Sequence, residues 1–113
     1  MRILYVEDQR VFAETVMTQF LSIHEVTIAE TLASARMLYA SSFEAILVDY
    51  DLPDGKGTEF VRHLRTVRFA GRIIAVSAKD DGNAELRAAG AHATCRKADL
   101  HQIATLLPTR PAP

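Results

Sequence analysis

Five short runs of branched apolar residues alternate along the chain with five amphipathic segments, and this alternation restricts the fold more than any other feature. The runs occupy residues 3–6, 26–29, 45–49, 72–76 and 92–96. Each is too short for a helix and rich enough in branched side chains for a strand. After the first run, Phe12, Val16 and Phe20 recur at the spacing of one helix face across residues 11–21. Thr31 can cap a second helix with Leu32, Ala35, Leu38 and Tyr39 inward. A third helix over 57–68 turns Phe60, Val61, Leu64 and Val67 inward and Arg62, Arg65 and Arg68 outward. Asp80 or Asp81 caps a short fourth helix that Gly90 stops, and Asp99 caps a last one with Leu100, Ile103, Leu106 and Leu107 as its apolar face.

Alternation of this kind predicts a doubly wound α/β fold, a parallel sheet with helices on both faces. Strands one, three and four are almost wholly apolar and suit the centre; strands two and five carry polar residues and suit the edges. Strand order 2-1-3-4-5 satisfies both conditions. At 113 residues the chain is long enough for one core, placed at residues 1–107, with a Pro-rich tail at 108–113 that cannot be helical.

The formal net charge is −1, with no basic stripe, so direct nucleic-acid binding is not expected. The chain has one cysteine, Cys95, which fits a reducing compartment and a packing role. No signal peptide and no membrane-spanning run can be read, and the expected location is the cytoplasm. His24, His63, His92 and His101 show no metal-ligand spacing.

In the predicted strand order, Glu7, Asp8, Asp49, Ser77 and Lys97 all fall just past the carboxyl ends of strands, where open α/β sheets keep their ligand crevice. Three carboxylates this close repel one another, so a cation or a raised pKa must relieve the crowding. Oxygen donors with room for water and phosphate suit Mg²⁺. Ser77 and Lys97 could hold phosphate oxygens and stabilise an aspartyl phosphate on Asp49. Each residue also has an ordinary reading: Asp8 as a helix cap, Asp51 and Asp54 as turn residues, Ser77 as a local hydrogen-bonder, Lys97 as a surface lysine. Asp49 is the exception, since a buried strand rarely ends in an acid without partners.

With these residues in view, the chain resembles the receiver domain of two-component response regulators over about residues 2–107, as a stand-alone receiver of flavodoxin-like α/β/α sandwich architecture. The resemblance implies that Asp49 is the phosphoacceptor, followed by Pro53 and Gly57 at the family's spacing. It implies metal ligation by Asp8 and Asp49, by Glu7 mainly through water, and by the backbone carbonyl of Asp51. Ser77 would be the switch hydroxyl, with small Ala78 beside it, and Lys97 the lysine that pairs with the phosphoryl group. The implied phosphodonor is a histidine kinase or a histidine phosphotransfer protein, and the implied output is binding of a downstream protein.

Two positions depart from the family pattern. Ala98 stands where proline usually follows the lysine, which predicts a trans Lys97–Ala98 bond and a less firmly aimed Lys97. Thr94 stands where an aromatic residue usually relays activation. A phosphorylatable receiver, a degenerate receiver acting as a constitutive interaction module, and a haloacid-dehalogenase-type phosphohydrolase built on Asp49-Tyr50-Asp51 are therefore the three readings. The third is the weakest, because that motif usually follows the first strand and its enzymes need more chain.

Overall fold

In a computed structural model, which describes residues 1–109, all four residues of Ala45–Val48 are buried on both sides. A strand covered on both faces needs a layer of helices above and below, and the chain supplies them. The elements are β1 (Arg2–Val6), α1 (Arg10–Phe20), β2 (Glu25–Ala29), α2 (Leu32–Leu38), β3 (Ala45–Val48), β4 (Asp51–Leu52), β5 (Gly55–Lys56), α3 (Gly57–Thr66), β6 (Arg72–Ser77), α4 (Asp80–Ala89) and β7 (Ala93–Arg96), with a closing 3-10 segment, Lys97–Thr105. Five strands form one parallel sheet in the order β2-β1-β3-β6-β7. Counted on those five alone, this is the predicted 2-1-3-4-5 arrangement.

The pleat sorts apolar side chains between two cores. Leu4, Val6, Ile46, Val48, Ile73 and Ala75 meet Leu32, Phe60, Leu64 and Leu86 from α2, α3 and α4. Ile3, Tyr5, Leu47, Ile74 and Val76 meet Ala13 and Val16 from α1 and Ile103 from the 3-10 segment. Fully burying one such side chain contributes roughly 1.5–3 kcal/mol. The edge strand β2 is only partly buried, as its polarity predicted.

Several details differ from the sequence-based expectation. A two-residue antiparallel hairpin, β4–β5, occupies what reads in sequence as turn punctuation. Helix α3 ends at Thr66, two residues early, because Arg68 takes a left-handed conformation with φ 58°. Val67, expected inward, is consequently exposed, as is Leu38 at the last position of α2. The last element is 3-10 rather than α-helical. Asp99 sits at a kink with φ −108° and ψ 16°, and its carboxylate pairs with Arg96 instead of capping. Leu100, Ile103 and Leu107 still reach the core. Thr31 does cap α2, receiving the Ser34 amide while the Ser34 hydroxyl accepts the Thr31 amide. Of the proposed tail, Pro108 and Thr109 are described and residues 110–113 lie outside the described region.

Candidate functional site

The sheet ladder runs one residue past the carboxyl ends of β1 and β3. The Glu7 amide donates to the Ala29 carbonyl at 2.9 Å, and the Asp49 amide to the Val6 carbonyl at 3.0 Å. Two acids are thereby fixed side by side on rigid strand ends. Asp8 follows Glu7 at the rim, partly exposed, and α1 starts after Gln9 without any side-chain cap. Asp8 is therefore not the helix cap that the bland reading allowed. Carboxylate oxygens of Glu7, Asp8 and Asp49 all lie within 4.8 Å of one another.

Lys97 arrives from β7. Its Nζ lies 3.0 Å from Asp49 Oδ2 and 2.5 Å from Glu7 Oε1, and 5.1 Å above the Phe12 ring. The Lys97–Ala98 bond is trans, since the described residues contain no cis peptide. Lys97 nonetheless points at Asp49 and Glu7 without a proline after it. Two buried carboxylates and an aromatic face hold the ammonium in place, so its direction does not depend on a proline after it.

Asp49 is 6% exposed, and its Oδ1 accepts the Tyr50 amide at 2.8 Å. Glycine is required at position 57 because a Cβ there would run into the Asp49 carbonyl oxygen, while the Gly57 amide donates to the Tyr50 carbonyl at 2.7 Å. Helix α3 thus starts pressed against the backbone of the acid. Ser77, buried at the end of β6, accepts the Lys79 amide at Oγ, 3.2 Å away. The side-chain amide of Asn83 donates to the carbonyls of Ser77 and Cys95, tying the ends of β6 and β7 together.

Burial pushes the Glu7 carboxyl up to about 7, and the neighbouring Asp49 charge adds to this against the opposing hydrogen bond from Lys97. Burial pulls the Lys97 ammonium down, but its hydrogen bonds to Glu7 and Asp49 outweigh it and hold the group above its ordinary value. Burial likewise pushes up the Cys95 thiol, with the Asp99 charge adding to it. A thiol held protonated in this way suits the packing role expected of it.

Asp8, Asp49, Asp51, Ser77 and Lys97 line one hollow of about 260 Å³, together with Gln9, Ala78 and Lys79. Glu7 is fully buried and lies against Lys97 Nζ. The Asp51 side chain turns away to pair with Lys56, whose hydrogen bond holds the carboxyl below its usual range. Lys79 went unnoticed in the sequence; its only signal is its place two residues after Ser77. Asp54 was read as a turn residue, yet its carboxylate accepts the Leu32 and Ala33 amides at 2.8 and 3.0 Å. It satisfies the open N-terminus of a helix more than twenty residues away. The four histidines do not share a ligand cluster among the described residues.

The arrangement brings together an accessible carboxylate, an adjacent acidic cluster and two groups able to contact anionic oxygens. A buried carboxyl held near neutrality marks a place where added positive charge would be stabilising, so the donor set fits a hard divalent cation.

Comparison with known proteins agrees with this geometry. The family profile described as the response regulator receiver domain matches residues 3–103. The transcriptional regulatory protein CitB of Klebsiella pneumoniae is 39% identical over 79 residues, covering 66% of this chain and 34% of its own length. The chain therefore spans about a third of that relative. A response regulator from Burkholderia pseudomallei, solved with a phosphorylated aspartic acid, a calcium ion and citrate, superposes with TM-score 0.81 at 24% identity, covering 96% of this chain and 66% of that one. The response regulator TrrA of Thermotoga maritima, solved with Mg²⁺ and BeF, superposes with TM-score 0.75 at 22% identity over 84% of each chain. At these identities the two structures establish a shared fold.

Proposed function

The chain belongs to the response regulator receiver domain family, and we propose that it accepts a phosphoryl group on Asp49 from a histidine kinase or histidine phosphotransfer protein and signals through a downstream protein partner. One observation carries this reading: Lys97 and Asp49, 48 residues apart in sequence, meet at 3.0 Å beside two further carboxylates. A structural ion pair has no need of the extra acids, which raise its electrostatic cost.

In the transfer, a carboxylate oxygen of Asp49 attacks the donor phosphorus in line, and the bond to the donor's leaving group breaks as the new P–O bond forms. Lys97 Nζ moves from Asp49 onto an equatorial phosphoryl oxygen, and the Ser77 hydroxyl donates to another. Gly57 and the ladder bond to Val6 keep the Asp49 backbone still. Asp8 and Asp49, with the Asp51 carbonyl and with Glu7 through water, would hold Mg²⁺. That cation would supply neutralising charge for the phosphoryl oxygens. The same hollow would admit a water for slow autodephosphorylation, a self-directed reaction rather than turnover of a separate substrate. A cytoplasmic location follows from a cytoplasmic phosphodonor, and no helix among the described residues is long and apolar enough to cross a membrane. Direct contact with nucleic acid forms no part of this role. We take residues 1–107 as the receiver unit.

The test is intact-mass measurement after incubation with Mg²⁺ and a small phosphodonor such as acetyl phosphate. One phosphoryl adduct, sensitive to hydroxylamine and absent from Asp49→Asn, is expected. No adduct would instead favour the constitutive interaction module, the reading to which Thr94 gives substance. Steady release of product from a phosphomonoester would point to a hydrolase.

A further inference from the structure

At the opposite, amino end of the sheet, hydrogen-bond donors converge. His92 directly precedes β7, and its backbone amide donates to the Ile73 carbonyl at 2.8 Å. The Ile73 amide donates back to His92 Nδ1 at 2.9 Å. A ring nitrogen that accepts carries no proton, so the neutral imidazole must hold its proton on Nε2. Yet Nε2 faces Arg65 Nη1 at 3.2 Å, and a guanidinium can only donate. Two donors thus point at each other. Arg72, across the cleft, has its Nε buried without a hydrogen-bond partner among the described residues. Arg68, thrown outward by its left-handed backbone, shares a hollow with Arg65 and Phe69. No salt bridge involving Arg65, Arg68 or Arg72 occurs among the described residues. Glu44 also lines the cleft, its carboxylate accepting the Arg2 amide, and sets one negative charge against the arginines there.

We propose that Arg65, Arg68, Arg72 and His92 form a phosphate-binding site at the amino end of the sheet, on the side away from Asp49. An oxyanion seated between Arg65 and His92 converts the donor–donor contact into two hydrogen bonds. Arg72 lines the cleft beside His92, and Arg68 shares the neighbouring hollow with Arg65. A tetrahedral phosphate suits the site better than a planar carboxylate, because donors approach it from α3, β6 and the residue before β7 rather than from one plane. The electrostatics agree: burial first, then the charges of Arg65 and Arg72, holds the His92 ring below its ordinary value. The part of that shift due to the two arginines is what a bound anion would offset.

The experiment is an NMR titration of the His92 ring protons with inorganic phosphate, in chelator so that the Asp49 crevice holds no metal, and at ionic strength matched with sodium chloride. Saturable shifts and a rise in the His92 pKa are expected, with affinity falling at least about tenfold in Arg65→Gln and in Arg72→Gln. Arg65 is exposed, so its variant keeps the fold even if the Arg72 variant is weakened. A parallel titration with a nucleoside monophosphate identifies the source: tighter binding than free phosphate assigns the site to phosphate monoesters, weaker binding to the free ion. Shifts that are linear in phosphate, that sodium chloride reproduces, or that persist unchanged in Arg65→Gln would overturn the proposal.

Discussion

At the carboxyl end of the sheet, Glu7, Asp8 and Asp49 crowd around the ammonium of Lys97. At the amino end, Arg65, Arg72 and His92 crowd together without a salt bridge to either arginine among the described residues. A parallel sheet makes such sorting possible, since every strand exits at one end and every helix returns to the other. The two ends therefore carry opposite electrostatic costs, and their responses to pH must have opposite signs.

Glu7→Gln is expected to have the largest effect. The folded protein holds the Glu7 proton up to about pH 7, against an ordinary value of 4.5. Ionising it in the fold costs nothing below 4.5, costs progressively more between 4.5 and 7, and costs its full amount above 7. Without metal, the variant should gain on the order of 2–3 kcal/mol above pH 7 and nothing near pH 4.5, read by denaturant unfolding at several pH values. A gain that does not vary with pH would remove the carboxyl end from the comparison.

Mg²⁺ should relieve the same crowding. At a hundred times its dissociation constant the ion should stabilise the wild type by about 2.7 kcal/mol. The effect should fade as pH drops below about 7, where the proton on Glu7 competes, and should be largely lost in Asp8→Asn. Thermal unfolding with and without the ion measures it. Next is Gly57→Ala, whose Cβ would press on the Asp49 carbonyl and the Val48 side chain. We expect a loss of about 1–3 kcal/mol together with slower phosphorylation, because the acid's own backbone has to shift. A stability loss with an unchanged phosphorylation rate would show that the α3 start supports the fold without aiming the acid.

The smallest effect belongs to the amino end. His92 is held below its ordinary value, so its contribution is complete above about pH 6.5 and is lost as pH falls below that. His92→Gln should flatten the acid side of the stability profile, slightly, since the residue is exposed. Together the two ends oppose each other, the Glu7 cost growing as pH rises from 4.5 to 7 and the His92 cost growing as pH falls below 6.5. If Glu7→Gln and His92→Gln changed the slope of the stability profile with the same sign, the opposition between the ends would be false.

The strand order was readable because polarity along β2 and β7 betrays edges, while β1, β3 and β6 are apolar throughout. The convergence of Glu7, Asp8, Asp49, Ser77 and Lys97 followed from that order, since strand ends in a parallel sheet share one rim. What escaped the sequence was of two kinds. Two-residue strands and a 3-10 segment leave no periodicity to detect, so the hairpin and the true character of residues 97–105 were invisible. Long-range partnerships leave no local trace either: nothing near Asp54 announces that it serves α2, and nothing near His92 announces Arg65. Likewise the aim of Lys97 came from Glu7 and Phe12, which lie ninety and eighty-five residues upstream, rather than from the residue beside it.

The reach of Asp54 to α2 has a kinetic corollary. The Leu32 and Ala33 amides belong to the first turn of a helix, where protons ordinarily trade with solvent within the shortest times of the whole backbone. Here each is held by a carboxylate on the loop that follows Asp49. Their exchange with deuterated water is therefore timed by that loop's departures from its place rather than by fraying of the helix. Two slow amides in α2 become clocks for a segment they do not belong to.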